Sequence, residues 1–172
     1  ISHPPLGKLI LSVGIRLFGM TPFGWRCMGT LTGVLMLPVL YLLLKRMFGS
    51  TEISACGTVI FAFDFMHFVQ TRIATIDSYP VLFILFSWLF MLRFMQRDIV
   101  RLPLKKLLPD LALSGLFMGL GIASKWIGVY SGAGLAVAFF WTIFRHMRMA
   151  ATSAHLLKTD KNLSDEDRKI LT

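Results

Sequence analysis

The chain has 172 residues, 55% of them hydrophobic and 16% charged, with a mean hydropathy of +0.68, values that exclude an ordinary soluble domain. Its net charge of +9 would suit a nucleic-acid binder, but the basic residues form no polar stripe, and no nucleic-acid partner is expected. They stand at the ends of apolar runs, the arrangement of an all-α integral membrane protein.

Pro4 and Pro5 open the first element, where missing amide donors cost little. Residues 5–20 are short for a span and carry Lys8, Ser12 and Arg16 one helical turn apart, with Leu6, Leu9, Ile10, Val13 and Leu17 on the other side. This pattern predicts an amphipathic helix lying in the external membrane interface. Residues 27–44 contain no ionisable group apart from Cys27 and Tyr41, and with their flanks reach the roughly 20 residues that cross a bilayer. Gly29 and Gly33 give this first span a thin face for a neighbouring helix, and Pro38 is expected to kink it.

A second span is expected over residues 53–70, with Asp64 and His67 one turn apart in its outer half, and a third over 78–92. Pro103 and Pro109 interrupt the basic loop that follows, and Asp110 is placed to accept amide hydrogens at the start of the next helix. The fourth span covers 111–124, thinned by Gly115, Gly119 and Gly121. Lys125 and Trp126 fit the external interface. A fifth span over 126–144 completes a membrane unit of residues 1–149, and the polar segment 150–172 reads as a cytoplasmic loop with Ser164 as a candidate helix cap.

Basic clusters follow every second run: Lys45 with Arg46; Arg93, Arg97, Arg101, Lys105 and Lys106; Arg145 with Arg148. Such spacing assigns these ends to the cytoplasm and the intervening loops to the outside. Cys27 and Cys56 then lie near opposite faces, too far apart for a disulfide, and read as packing residues. With Ile1 leading straight into a polar turn, the chain reads as an internal fragment of a longer membrane protein.

On this topology His3, Lys8, Arg26, Asp64 with His67, Arg72, Asp77, Lys125 and Trp126 all fall at the external face or in the outer half of a span. A carboxylate inside a lipid-length run costs about 3 kcal/mol on the insertion scale, so Asp64 needs a partner, a polar cavity or a function. A cationic pocket at headgroup depth suits an anionic lipid phosphate. Each residue also has a plainer reading. Lys8 and Arg16 suffice as headgroup anchors, Arg26 and Lys125 as span-end snorkellers, and Trp126 as an interface ring. His67 reads as a packing partner of Asp64, and Arg72 with Asp77 as a loop salt bridge. No zinc-like spacing occurs and no metal is expected.

The segments His3-Pro4-Pro5-Leu6-Gly7-Lys8, Phe63-Asp64 with Gln70-Thr71-Arg72 and Ile76-Asp77-Ser78, and Ser124-Lys125-Trp126-Ile127-Gly128 together resemble the protein O-mannosyltransferase family, whose members are multi-span glycosyltransferases of the GT-C type. The resemblance runs in order from residue 2 to about residue 130. It implies transfer of mannose from a polyprenyl- or dolichyl-phosphate-mannose donor to Ser or Thr hydroxyls of an acceptor protein. The active face would be external or luminal, in a bacterial or archaeal plasma membrane or the endoplasmic reticulum. The lipid-linked phosphomannose is a co-substrate, no separate cofactor is implied, and a dimer is allowed. In that family an acidic pair ahead of the His-Pro-Pro-Leu-Gly-Lys segment is the base that activates the acceptor. That pair precedes Ile1, so the fragment alone is expected to be inactive.

For the residues present, the leaving phosphate needs fixed cations in a low-dielectric pocket. Arg26, Arg72, Lys125 and Lys8 are the candidates. The family's second acidic site matches Asp77 or Asp64, either of which would orient those cations or bind sugar hydroxyls, and His3 and Trp126 are candidate substrate contacts. The competing readings are a related polyprenyl-phosphate-sugar transferase acting on lipid, a transporter lined by Asp64, Arg72 and Lys125, and a non-catalytic packing module. A transporter would be expected to carry a repeat and access from both faces.

Overall fold

The computed structural model describes residues 4–99 and 102–159, with side chains through residue 153. Among these residues there are seven α-helices and no strand: α1 Leu6–Phe18, α2 Pro22–Phe48, α3 Thr51–Ala62, α4 Phe65–Gln70, α5 Ser78–Met95, α6 Leu104–Ser124 and α7 Gly128–Thr159. The protein is an all-α membrane protein. Three helices, α2, α5 and α6, are long and apolar enough to cross a bilayer.

α1 matches its expected bounds closely and docks through glycine. Gly7 and Gly14 are its buried residues, whereas Leu9, Val13 and Leu17 are exposed, so its apolar ridge faces away from the protein, as an interfacial helix requires. A Cβ on Gly14 would stand 2.5 Å from the Gly24 carbonyl and 2.7 Å from Cys27 Sγ. Glycine therefore lets α1 and the start of α2 touch backbone to backbone.

α2 begins earlier than the expected residue 27. Thr21 caps it, accepting from the Gly24 amide at 3.1 Å, and Pro22 occupies its first turn. Its 27 residues span about 40 Å. Gly49, at φ 70°, takes the left-handed conformation that ends the helix and donates to Lys45 O. Ser50 then caps α3, which returns beside α2.

The second expected span, 53–70, is not one helix. α3 has 12 residues, about 18 Å, and the chain breaks at Phe63 before α4 begins. Asp64 causes the restart: its Oδ2 accepts the His67 amide at 2.8 Å. The apolar pattern of the run conceals the break because the cap occupies a single position.

α5 and α6 pack along their lengths around a polar pin and an aromatic stack. Ser87 and Ser114, both buried, each donate to the other's backbone carbonyl, at 2.8 and 2.9 Å. Phe117 stacks on Phe86 and Phe90 with centroids 4.7 and 5.7 Å apart. α6 starts seven residues before the expected 111, so Pro109 and Asp110 lie inside it. Asp110 is not the predicted cap. It is buried and ion-paired with Arg93 at the end of α5, Nε to Oδ1 3.3 Å, and with Arg97 just beyond that helix, Nε to Oδ2 2.7 Å.

α7 starts at Gly128 and continues to Thr159, so the first ten residues of the expected loop 150–172 are helical. It packs on α5 where Trp88 Nε1 donates to Ser131 Oγ at 2.9 Å and Gly134 lies against the indole ring. The core has two centres: Met36, Val39, Leu82 and Leu89 between α2 and α5, and Met91, Phe94, Leu107, Met118 and Leu135 among α5, α6 and α7.

The fold gathers the clustered basic residues of the helix ends on one side. Lys45 and Arg46 close α2, Gln96 after α5 donates to Arg46 O at 2.8 Å, and Arg145 shares a groove with Arg97. The opposite end holds α1, α4, the 71–77 connection and the α6–α7 corner.

Candidate functional site

The three segments singled out by sequence meet at one glycine. A Cβ on Gly7 would lie 3.0 Å from Ile76 Cβ and 3.4 Å from Ser124 O, so α1, the approach to α5 and the end of α6 touch where only glycine fits. Lys8, Asp77 and Lys125 each follow one of these contact residues in sequence. The side chains of all three line a groove of about 630 Å³, with Ser12, Trp25 and Thr75 among its other walls.

Local structure fixes each wall. The 70–78 connection is stitched by Ser78 Oγ donating to Gln70 O at 3.1 Å and by the Thr75 amide donating to Ile73 O at 2.8 Å. It is also clamped to α2. Thr71 is buried, its carbonyl accepts Thr30 Oγ1 at 3.2 Å, and a Cβ on Gly33 would stand 2.6 Å from its methyl group. Gly29 and Gly33 thus admit a connection rather than the neighbouring helix expected from their spacing. Ser124 is fully buried and donates to Leu120 O at 2.9 Å, and the Lys125 amide closes α6 by donating to Gly121 O at 3.1 Å. Lys125 then turns into extended backbone and its ammonium forms an ion pair with Asp77 Oδ1. Both side chains keep partial solvent access, at 27% and 43%, so a charged ligand can reach them.

Asp77 also lines a second cavity, of about 210 Å³, with Asp64, His67, Gln70 and Ser78 and apolar walls from Met36, Phe61 and Val81. The carboxylate therefore stands between a basic groove and a more acidic, largely apolar one.

The other expected residues sit at the same end but apart from the groove. Arg26 is exposed on α2; its neighbour Trp25 takes the groove position, and two consecutive helical residues cannot share a face. Arg72 is exposed and lies over the Phe68 ring at 3.8 Å, so it makes no loop salt bridge with Asp77. Trp126 is 60% exposed. Asp64 is exposed, serving as the α4 cap. His3 lies outside the described residues. Trp25, Ser12 and Thr75 were not anticipated as site residues; Ser12 carried the one available signal, its position one turn after Lys8.

The chain is 30% identical over 147 residues to the polyprenol-phosphate-mannose–protein mannosyltransferase of Mycobacterium tuberculosis, covering 76% of this chain and 28% of that protein. The protein of the same name from Mycolicibacterium smegmatis is 27% identical over 147 residues, with the same coverage. That of Corynebacterium glutamicum is 28% identical over 161 residues, covering 81% of this chain and 29% of the relative. The chain thus spans under a third of the length of these curated relatives, and no solved structure matches it. The family profile described as dolichyl-phosphate-mannose-protein mannosyltransferase matches residues 1–159, taking in all seven helices and all three segments that meet at Gly7. The chain belongs to the dolichyl-phosphate-mannose-protein mannosyltransferase family.

Proposed function

We propose that the complete protein is a multi-pass membrane mannosyltransferase that moves mannose from a polyprenyl-phosphate-mannose donor to Ser or Thr hydroxyls of acceptor proteins, at the external or luminal face. One observation carries this reading: the Gly7, Ile76 and Ser124 junction gathers Lys8, Asp77 and Lys125 around a single groove. Two ammonium groups there meet the donor phosphate, and Lys125 stabilises the charge that grows on the phosphate as the glycosidic bond breaks. Asp77 orients Lys125, and Asp64 lines the second cavity as the cap of α4. Arg72 and Arg26 lie at the same membrane end, outside the groove, and reach the phosphate only by side-chain rotation.

The test uses membranes containing the full-length protein, a labelled polyprenyl phosphomannose and a Ser/Thr-rich peptide. Label should pass to the peptide, and Lys125→Ala should lower kcat on the order of 100-fold, the loss typical of removing one preorganised group that stabilises developing negative charge. Label recovered only in lipid would instead establish the lipid-acceptor reading.

A further inference from the structure

We propose that Asp77 limits the groove's preference for the spent carrier over the donor, by cancelling one of its two positive charges. This rests on the mannosyl-transfer reading above. The charged side chains lining the groove are Lys8, Asp77 and Lys125, and Asp77 is ion-paired to Lys125, so one of the two cations is already neutralised before any ligand arrives.

The reaction changes the charge of the ligand. The donor is a phosphodiester with one negative charge. During transfer the bond from the sugar C1 to the phosphate oxygen breaks and a bond from C1 to the acceptor hydroxyl oxygen forms. The hydroxyl proton passes to the base, and the electron pair stays on the phosphate. The resulting polyprenyl phosphate is a monoester whose second pKa lies near 6, so it approaches two negative charges at neutral pH. A groove with two unopposed cations would hold this product more tightly than the donor and would stall on it.

Coulomb energy scales with the ligand's charge. Removing the Asp77 charge must therefore tighten a dianion by about the square of the factor by which it tightens a monoanion. The sign and the squared relation depend on the Asp77 charge alone, whatever further groups the complete enzyme adds around the groove. Asp77 acts here as a specificity-determining residue, and the chemical step does not require it to accept a proton.

The experiment measures binding by the full-length protein of two ligands sharing one tail, polyprenyl phosphate and its methyl phosphodiester, with Asp77→Asn, Asp77→Glu and Ser12→Asp variants. For Asp77→Asn we expect about threefold tighter diester binding and about tenfold tighter monoester binding, in line with charge scaling. Asp77→Glu should keep the wild-type ratio. Ser12→Asp adds a carboxylate to the same groove without touching the ion pair and should shift the ratio the opposite way, which keeps the test decisive if Asp77→Asn fails to accumulate. An unchanged or reversed monoester-to-diester ratio in Asp77→Asn, or no shift in Ser12→Asp, overturns the inference. Failure of both ligands to bind the wild-type protein would instead defeat the mannosyl-transfer reading itself.

Discussion

Asp64 shows how one side chain changes meaning between sequence and structure. In the sequence it is a carboxylate in an apolar run and so a candidate for chemistry. In the fold it is exposed and occupied, accepting the His67 amide at the head of α4. Loss of such a cap costs about 1 kcal/mol, so Asp64→Ala should lower the thermal stability of the full-length protein in detergent by that amount. Asp64→Asn, which preserves the cap, should recover both stability and most mannosyl transfer. An Asp64→Asn enzyme that is stable yet inactive would return Asp64 to the chemistry. Lys8, Asp77 and Lys125 stood out in the sequence as charged residues of recognisable segments at the expected external face, and the fold places all three around one groove. Trp25 rather than Arg26 lines the groove, because a one-residue shift along a helix turns a side chain by about 100°, and the apolar pattern of α2 was too even to set which face pointed inward.

At the scale of elements, apolar runs revealed where helices lie but not where they start or break. α6 begins at Leu104 because Pro103 ends the preceding connection, and Pro109 lies in its second turn, where it has no amide to donate to the Lys105 carbonyl. That extension draws Asp110 from an expected helix cap into the α5–α6 interface, between Arg93 and Arg97. The pairing joins α6 to the end of α5 and the residues just after it, more than a dozen positions away in sequence, so no local pattern announces it. The carboxylate is almost fully buried while both guanidinium groups are about one-third exposed, and removing the buried partner leaves two cations facing an apolar cavity. Asp110→Ala should destabilise the full-length protein by about 3 kcal/mol, measured by thermal unfolding in detergent. Arg93→Ala alone should cost less, because Arg97 holds the shorter contact. Equal, small effects for both would mean that water already screens the pair.

For the molecule as a whole, the helices run so that chemistry and orientation occupy opposite ends. The groove closes between the starts of α1 and α5 and the end of α6, whereas Lys45, Arg46, Arg93, Arg97 and Arg145 gather at the far end. The proposed topology follows from this polarity, since clustered Lys and Arg remain on the cytoplasmic side of a bilayer. It also accounts for a helix as short as α3: together with α4 it completes one return toward the groove, with the Asp64 break sited near the outer end. In a full-length protein with all its cysteines, Cys27 and Cys56 among them, replaced by Ala, Ala74→Cys beside the groove should react with a membrane-impermeant maleimide added outside intact cells. Glu52→Cys, on the exposed first turn of α3 at the basic end, should react only after permeabilisation. The opposite labelling would invert the protein in the membrane and set the groove facing the cytosol. A polyprenyl-linked donor would then have to be used on the same side as cytosolic nucleotide sugars, and the case for acceptors on the external or luminal side would fall with it.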